Sequence, residues 1–264
     1  MSNSATSAAG FLLQMRLGAR IEPGLPSNLV PSSLEDAYRV QAELVQAMLA
    51  RHGGRRIGYK IACSNELAQR LLNVAAPLYG TLLSFSTHRS PASLAASAFK
   101  VRCIEAEFGF EMAQDVPASA DRYSAETIMP LIASAFPSIE IVDHRFTDWS
   151  KVGAATLVAD NAIHGAWIEG PSCAKWRDID FVRHPVALFV DDRLVQTGSG
   201  AAVLGNPLNV VAWLANELPH HGLQLRAGDK ISTGVTTDVY FAKIGERIRA
   251  DFSALGSAEV SFGA

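Results

Sequence analysis

The sequence predicts an α+β protein, and three patterns indicate this class. Apolar residues recur at helical intervals from Leu34 to Leu49. They alternate with other residues from Arg102 to Met112, which is typical of a strand. The segment from Val186 to Thr197 has the form of a β-hairpin, because two apolar runs flank the turn Asp191-Asp192-Arg193. Helices and strands therefore both contribute to the fold.

Two helices are predicted before the first strand. The first runs from Gly10 to Arg20. The second begins where Ser32 and Glu35 stand at capping-box spacing, and it ends at Gly53-Gly54. Gln41 lies on its mainly apolar face, and we interpret it as a core amide with satisfied hydrogen bonds. A contact with a pocket is the alternative interpretation of Gln41.

The first predicted strand carries a lysine that can reach a cleft. Residues 57–62 read I-G-Y-K-I-A and alternate, so Lys60 points away from the face that carries the large apolar residues. A lysine on a strand is usually solvated. Its neighbours Gly58 and Ala62 are too small to shield it, which leaves room for the ammonium to enter a cleft.

The remaining elements are short, apart from one helix. The Asn206-Pro207 pair supplies an N-cap and a first-turn proline to this helix, which carries an apolar face through Leu218 and is predicted to end just before Gly222. Two shorter helices and three late strands are predicted at Ser64 to Leu72, Ala125 to Ala135, Val239 to Ile244, Arg247 to Phe252 and Ala258 to Phe262.

Acidic side chains on two predicted strands are the candidate metal ligands. Glu105 and Glu107 share one face of their strand, because successive side chains alternate. Glu140 stands among β-branched residues in I-E-I-V, where an unpaired charge is costly. A divalent cation such as Mg²⁺ or Mn²⁺ would cancel the repulsion between these acids. The alternative is that the pair, with Glu111, lies on the solvated face of an antiparallel sheet.

Composition favours a small-molecule partner over a nucleic acid or a membrane. The chain has 264 residues, of which 48% are hydrophobic and 19% charged, so it can bury a sizeable core. Its net charge is −3, with scattered basic residues, which excludes the electrostatic pattern of a nucleic-acid or membrane-surface binder. Cys63, Cys103 and Cys173 are widely spaced and predict free thiols in a reducing, cytoplasmic compartment. The N-terminal apolar run from Gly10 to Leu13 is too short to span a membrane.

Several other site chemistries are not indicated. The seven histidines show no H-x₃-H or HExxH spacing, so a zinc site is not predicted, and His144 and His164 are interpreted as structural. Gly198, Gly200 and Gly205 do not form a dinucleotide-binding fingerprint. There is no G-x-S-x-G motif or Cys-His pattern for covalent acyl chemistry.

A set of motifs, in order along the chain, resembles the 2-keto-4-pentenoate hydratase and 4-oxalocrotonate decarboxylase family, which belongs to the wider fumarylacetoacetate hydrolase-like fold. Each motif is weak alone, but together they cover the chain from about residue 33 to the C-terminus. They are G-Y-K-I-A at 58–62, P-x-Y-G at 77–80, I-E-A-E-F at 104–108, I-E-I-V-D-x-R at 139–145, A-D-N-A at 159–162, G-x-P-L-N-V-V-A-W-L-A-N at 205–216 and L-R-A-G-D-K-I-S-T-G at 225–234.

The resemblance implies a mixed β-roll core with an N-terminal helical cap. It assigns Glu105, Glu107 and Glu140 to a Mg²⁺ or Mn²⁺ ion and places Lys60 beside the substrate. In the matched regions we predict a catalytic role for Lys60 and Asp160, and substrate contacts for Leu78, Asn161, Ile163 and Thr233. We expect residues 1–84 to form a cap region and residues 85–264 the catalytic β-roll, with the boundary in the Ser-, Pro- and Ala-rich stretch at 84–97.

The predicted function is that of a metal-dependent lyase acting on unsaturated 2-oxo acids, most simply a hydratase of aromatic meta-cleavage catabolism. The sequence departs from the family hydratases, which usually carry an acid at Leu78, a small hydroxyl at Ile163 and Thr or Ser at Val235. These departures leave open a 4-oxalocrotonate-type decarboxylase or an enzyme for a more apolar 2-oxo acid. An acylpyruvate C–C hydrolase and a scaffold without turnover are further alternatives. The resemblance also implies a homo-oligomer.

Overall fold

Two β-sheets and a set of helices form the computed structural model, which describes residues 7–18 and 20–263. In this described part there are six α-helices: α1 (Ala8–Leu17), α2 (Leu34–His52), α3 (Glu66–Leu72), α4 (Ala125–Ile128), α5 (Ala154–Ala159) and α6 (Pro207–Glu217). The strands in the same residues are β1 (Arg56–Ala62), β2 (Leu78–Leu83), β3 (Thr87–Arg89), β4 (Ala92–Ala95), β5 (Cys103–Met112), β6 (Ile132–Val142), β7 (His164–Glu169), β8 (Pro185–Val190), β9 (Arg193–Ser199), β10 (Lys230–Ser232), β11 (Tyr240–Phe241), β12 (Arg247–Asp251) and β13 (Ser257–Gly263).

The larger sheet is mixed and contains the longest strands. Its order is β2-β1-β10-β5-β6-β7-β3, and β11 pairs with β5. The parallel pairing of β1 with β10 and the antiparallel pairing of β5 with β6 make it a mixed sheet. The smaller sheet has the order β4-β13-β12-β8-β9 and includes the predicted hairpin, β8 and β9. The sheets and the N-terminal helices confirm the predicted α+β class.

Strand β5 separates a packed core from the acidic face. Phe108 points to the core, where its ring centroid lies 4.9 Å from that of Phe252 and 5.6 Å from that of Phe181. Glu105 and Glu107 point to the opposite face, as the alternation of a strand requires. The burial of the aromatic face therefore fixes the direction of the carboxylates.

The N-terminal helices pack on this sheet through α2. The Gln41 amide donates to the carbonyl oxygens of Tyr79 and Val158 at 3.0 and 2.8 Å, which confirms its interpretation as a core amide. The N-cap of α2 is Ser33, whose side chain accepts from the Asp36 N–H. The predicted capping box at Ser32 is therefore wrong by one residue.

Three predicted helix boundaries are also corrected. Helix α1 ends at Leu17 instead of Arg20, and Asn65, not Ser64, caps α3. The predicted helix at residues 125–135 is wrong in its second half, because β6 begins at Ile132 and pairs there with β5. Pairing with a long neighbouring strand outweighs the helix propensity of the small residues in this segment.

The first 84 residues share a sheet with the rest of the chain. Strands β1 and β2 precede residue 84, yet β1 pairs with β10 and β10 pairs with β5. The division into a cap region and a catalytic domain at this residue stays a prediction. Within the described ranges, no helix combines the length and the apolar character needed to cross a membrane.

The close approach of β1 to β10 predicts the effect of a substitution at Gly58. A Cβ atom there would lie 1.8 Å from the Lys230 carbonyl oxygen. We expect Gly58→Ala to lower the free energy of unfolding by about 3 kcal/mol or more, because the clash is with backbone. Urea unfolding followed by circular dichroism measures this change.

Gly24→Ala is the matched control, because the nearest atom to its added Cβ, in Val152, lies at 3.8 Å. It should change the free energy of unfolding by less than about 0.5 kcal/mol. Equal stability of the two variants would contradict the packing described for β1.

Candidate active site

Three carboxylates meet where β5 and β6 pair. The antiparallel register places Glu105 directly opposite Glu140, and Glu107 follows two residues further on the same face of β5. One oxygen from each of the three carboxylates lies within 4.8 Å of the others. Glu107 and Glu140 are fully buried and Glu105 is partly exposed. The structure thus brings together the three acids predicted as metal ligands.

The two buried carboxylates are each bonded to the protein through a single oxygen. Glu107 Oε2 accepts from the Ser232 hydroxyl and, at 2.9 Å, from the Gly234 N–H. Glu140 Oε1 lies 3.1 Å from Lys60 Nζ and 2.8 Å from His164 Nδ1. The other oxygens, Glu107 Oε1 and Glu140 Oε2, have no hydrogen-bond partner among the residues that the structure describes.

Oxygen atoms buried in this way fit a hard divalent cation. An unpaired buried acceptor is costly, and a buried carboxylate without a partner is more so. Mg²⁺ and Mn²⁺ prefer carboxylate oxygens, and here the free oxygens belong to side chains whose second oxygen is held by donors. The donor set and the geometry are therefore suitable for such an ion.

The acids shift one another's pKa values. Burial and the negative charge of Glu140 raise the pKa of Glu105 to about 7. Burial, with its two acidic neighbours, raises the pKa of Glu107 well above its usual range. For Glu140, burial alone would raise the pKa, but the Lys60 ammonium and the His164 hydrogen bond outweigh it, so the pKa is lowered. If all three carboxylates were ionised, as metal ligands must be, the cluster would have more negative charge than its one lysine can balance.

Lys60 is the buried cation of the site. It is only 2% exposed and donates to the Ala162 carbonyl oxygen at 3.1 Å in addition to its contact with Glu140. Burial alone would lower the pKa of Lys60, but the three carboxylates outweigh it and the pKa is raised. An ammonium has three N–H donors, so one remains for a ligand.

A strained turn supplies the carbonyl group that Lys60 contacts. Asn161, Ala162 and Ile163 all have left-handed backbone angles, with φ of 53°, 49° and 53°. The Asn161 amide stabilises this turn by exchanging two hydrogen bonds with the backbone of Thr81, at 2.7 and 3.0 Å. The Asn161 side chain thus makes the two hydrogen bonds with Thr81 of β2 that the backbone of a neighbouring strand would otherwise make.

Arg16 of helix α1 holds the same turn from outside. Its guanidinium donates to Asp160 Oδ1 at 2.6 Å, to the Asp160 carbonyl oxygen at 2.7 Å and to the His164 carbonyl oxygen at 3.1 Å. Asp160 is fully buried in this contact. It does not belong to the cavity wall, and its predicted catalytic role stays a prediction that the geometry does not support.

A cavity of about 550 Å³ opens beside Lys60 and Glu105. Its wall includes Leu78 and Ile163, which were predicted to contact the substrate. The other two predicted contacts lie elsewhere: Asn161 bonds Thr81, and the buried Thr233 hydroxyl donates to the Phe108 carbonyl oxygen at 3.1 Å. The side chains of Asn161 and Thr233 therefore bond backbone groups of other segments, and their contact with the substrate stays a prediction.

Several residues of the site were not among those predicted from the sequence. His164 was interpreted only as structural, but it bonds a cluster carboxylate, and His144 lies in the cavity wall. Ser232 and Gly234 belong to the S-T-G motif, which was a usable signal. Arg16 had no local signal, because its partner Asp160 lies 144 residues away.

The fold and the site together define a class of protein. A mixed α+β fold gathers three acids and a lysine at one end of an apolar cavity. This arrangement is that of an enzyme whose carboxylates can hold a divalent cation next to a small-molecule substrate.

Comparison with known proteins assigns the family. The model described as fumarylacetoacetate (FAA) hydrolase, C-terminal, matches residues 65–262, and the chain therefore belongs to the fumarylacetoacetate hydrolase family. The 2-keto-4-pentenoate hydratase 1 from Dechloromonas aromatica (strain RCB) is 32% identical over 99% of this chain and 100% of that protein. The 2-hydroxypent-2,4-dienoate hydratase from Pseudomonas putida is 32% identical over 72% of this chain and 85% of that protein.

A solved structure resembles almost the whole chain. The 4-oxalocrotonate decarboxylase from Pseudomonas putida G7, complexed with magnesium and adipate, has a TM-score of 0.88 and 27% sequence identity. The match covers 97% of this chain and 95% of that chain. Together with the hydratases, this structure confirms the resemblance found in the sequence and the predicted β-roll fold.

The contacts of Arg16 predict a cost of replacing it by lysine. Arg16→Lys keeps the positive charge but loses the fork that reaches two carbonyl groups and a carboxylate together. We expect it to lower the free energy of unfolding by about 1–3 kcal/mol, measured by urea unfolding. Arg20→Lys is the control, because Arg20 is largely exposed and its one ion pair among the described residues is with Glu22 at the surface. Equal effects of the two substitutions would contradict the role given to Arg16.

Proposed function

We propose that this protein is a divalent-metal-dependent lyase of the hydratase type, which adds water to an unsaturated 2-oxo acid such as 2-hydroxypenta-2,4-dienoate. The observation that carries the proposal is a pair of carboxylate oxygens, of Glu107 and Glu140, that have no partner among the described residues. They belong to a cluster with Glu105 and Lys60, and these last two line the cavity. The likeness to hydratases over nearly the whole chain supports the choice of reaction.

Glu105, Glu107 and Glu140 would hold the cation, which we propose to be Mg²⁺ or Mn²⁺. A bound cation of this kind supplies a Lewis acid for the adjacent carboxylate and keto oxygens of a 2-oxo acid. The protein's contribution is to fix the ligands in advance. Ser232 and Gly234 orient Glu107, and Lys60 and His164 orient Glu140, so little reorganisation accompanies binding.

Lys60 orients the substrate through its remaining N–H donor. Two of its donors are directed to Glu140 and to the Ala162 carbonyl oxygen, and the side chain lies in the cavity wall. The third can donate to the carboxylate of the substrate or to the oxygen that gains charge in the reaction. A fixed cation at this position stabilises the charge that develops when a proton moves along the carbon chain.

His144 is the proposed proton carrier for the added water. It belongs to the cavity wall, and burial lowers its pKa, which favours a neutral ring. A neutral imidazole can accept a proton from water and return it to carbon. The apolar surroundings of Leu78 and Ile163 keep other water away from the conjugated end of the substrate.

A decarboxylase of the 4-oxalocrotonate type is the second candidate. Two observations favour it: the TM-score of 0.88 with such an enzyme, and the apolar Leu78 and Ile163, which offer no polar group to a water molecule. Loss of carbon dioxide and addition of water proceed through related enolic forms, so the same carboxylates and lysine would serve both. A homo-oligomer in a reducing cytoplasm, with the cysteines as free thiols, completes the proposal.

Product analysis tests the proposed reaction. The chain is stripped with a chelator, given 2-hydroxypenta-2,4-dienoate with or without Mg²⁺, and its products are followed by mass spectrometry. We expect a hydroxy-oxo acid that forms only with the metal. Release of carbon dioxide from 4-oxalocrotonate, without hydration of the dienol, would establish the decarboxylase instead. No turnover of either compound, or of a dienol with a longer apolar tail, with Mg²⁺ or Mn²⁺ would contradict both.

Glu107→Gln tests the ligand assignment without relying on turnover. It removes the charge but keeps the shape, and calorimetry should show Mg²⁺ binding weakened by at least about tenfold. Glu111→Gln is the matched control, because Glu111 lies on the same face of β5 but outside the cluster. It should leave the affinity for Mg²⁺ unchanged within about twofold. Equal affinities in both variants would show that the ion binds elsewhere.

A further inference from the structure

Large apolar side chains make up much of the cavity lining. They include Leu71 and Leu72 of α3, Leu78 of β2, Ile163, Val239 and Phe241 of β11. The same cavity contains Lys60 and Glu105. A ligand held at the carboxylates therefore extends its remaining atoms along these apolar walls.

The mouth of the cavity is apolar as well. Leu67 and Leu71 lie one helical turn apart on α3 and are 73% and 52% exposed, and Phe241, which also lines the cavity, is 57% exposed. A single exposed leucine carries no information, but a contiguous group that rims a cavity marks a binding surface. An apolar ligand group would remove this surface from water, which is favourable.

The charges in the wall exclude a second carboxylate on the ligand. Among the described residues of the wall, Lys60 is the one with a permanent positive charge, and it is already held between Glu140 and the Ala162 carbonyl oxygen. The charged groups besides it are the carboxylates of Glu105 and Asp238. An anionic group elsewhere in the cavity would lose water without gaining a cation, and Asp238 adds a negative charge to the lining.

The volume of the cavity also favours a ligand with a large apolar group. A volume of about 550 Å³ lies within the range of roughly 300–1,000 Å³ in which proteins bind drug-sized molecules. A five-carbon acid is smaller than such molecules and would leave apolar wall uncovered.

We propose that the substrate is a 2-oxo acid, or its enol, with an uncharged apolar tail longer than that of a five-carbon dienoate, such as an alkyl chain or an aryl group. This inference rests on the proposed function, because the carboxylate cluster and Lys60 hold the 2-oxo acid end. The specificity-determining residues are Leu71, Leu78, Ile163 and Phe241. A dicarboxylate such as the adipate complexed with the similar decarboxylase would find no second cation here.

Binding of stable 2-oxo acids tests the tail directly. Calorimetry with saturating Mg²⁺ compares 2-oxobutanoate, 2-oxohexanoate, 2-oxooctanoate and 2-oxoadipate. Each added CH₂ group should lower the Kd by roughly threefold to fourfold. The 2-oxoadipate, which has the chain length of 2-oxohexanoate and a terminal carboxylate, should bind at least about tenfold more weakly than 2-oxohexanoate.

A charged substitution at the mouth should reverse this preference. Leu71 is half exposed, so Leu71→Lys adds a cation to the wall without burying it. We expect the ratio of Kd values for 2-oxoadipate and 2-oxohexanoate to fall by at least about tenfold. Ala75→Lys is the matched control, because this exposed residue follows α3 but does not line the cavity. It should leave the ratio unchanged.

The possible failures can be told apart. If 2-oxobutanoate binds with Mg²⁺, and neither chain length nor the terminal carboxylate changes the Kd, the inference about the tail is wrong and the proposed function stands. If none of the four acids binds while Mg²⁺ itself binds, the proposed function fails and the inference fails with it. An equal response of Leu71→Lys and Ala75→Lys would show that α3 does not contact the tail.

Discussion

The repulsion among three acids on one sheet face is the constraint on which the rest of the site depends. Glu105, Glu107 and Glu140 approach within 4.8 Å because the register of β5 and β6 leaves them no other direction. The negative charge of Glu140 helps to raise the pKa values of Glu105 and Glu107, and a single lysine does not balance three ionised acids. The protein bonds one oxygen of each fully buried acid, and the other oxygen has no partner among the residues that the structure describes. Because one oxygen of each of these acids is held in place and the other is available, the repelling carboxylates can bind a cation.

Much of the surrounding structure holds the carboxylates of the cluster in place. The S-T-G segment after β10 supplies two donors to Glu107, and the packing of β1 on β10 brings Lys60 to Glu140. The left-handed turn at residues 161–163 offers a carbonyl oxygen to Lys60, and Arg16 holds that turn from helix α1. The N-terminal helix therefore acts on the site through hydrogen bonds, without lining the cavity. The cavity beside the cluster is lined mainly by apolar side chains, with Lys60 and Glu105 among the few charged residues in its wall.

Local patterns predicted part of this arrangement. Alternation placed Glu105 and Glu107 on one face, because the direction of a side chain in a strand depends only on its neighbours. The meeting with Glu140 was expected from the likeness to a family, since register depends on pairing between distant segments. Arg16 was not predicted, because its contacts span 144 residues. The helix predicted at residues 125–135 was wrong in its second half, because β6 pairs with β5 from Ile132. Local propensity gives no information about this pairing between distant segments.

The position of a bound ion tests most directly whether Glu105, Glu107 and Glu140 form one metal site. Crystals grown with Mn²⁺ and measured near the manganese absorption edge would locate the ion by anomalous diffraction. If the three carboxylates form one metal site, we expect one strong peak within about 2.3 Å of an oxygen from each of Glu105, Glu107 and Glu140. In Glu107 and Glu140 this oxygen should be the one without a hydrogen-bond partner among the described residues. A peak elsewhere, or one coordinated by fewer than two of these carboxylates, would contradict it.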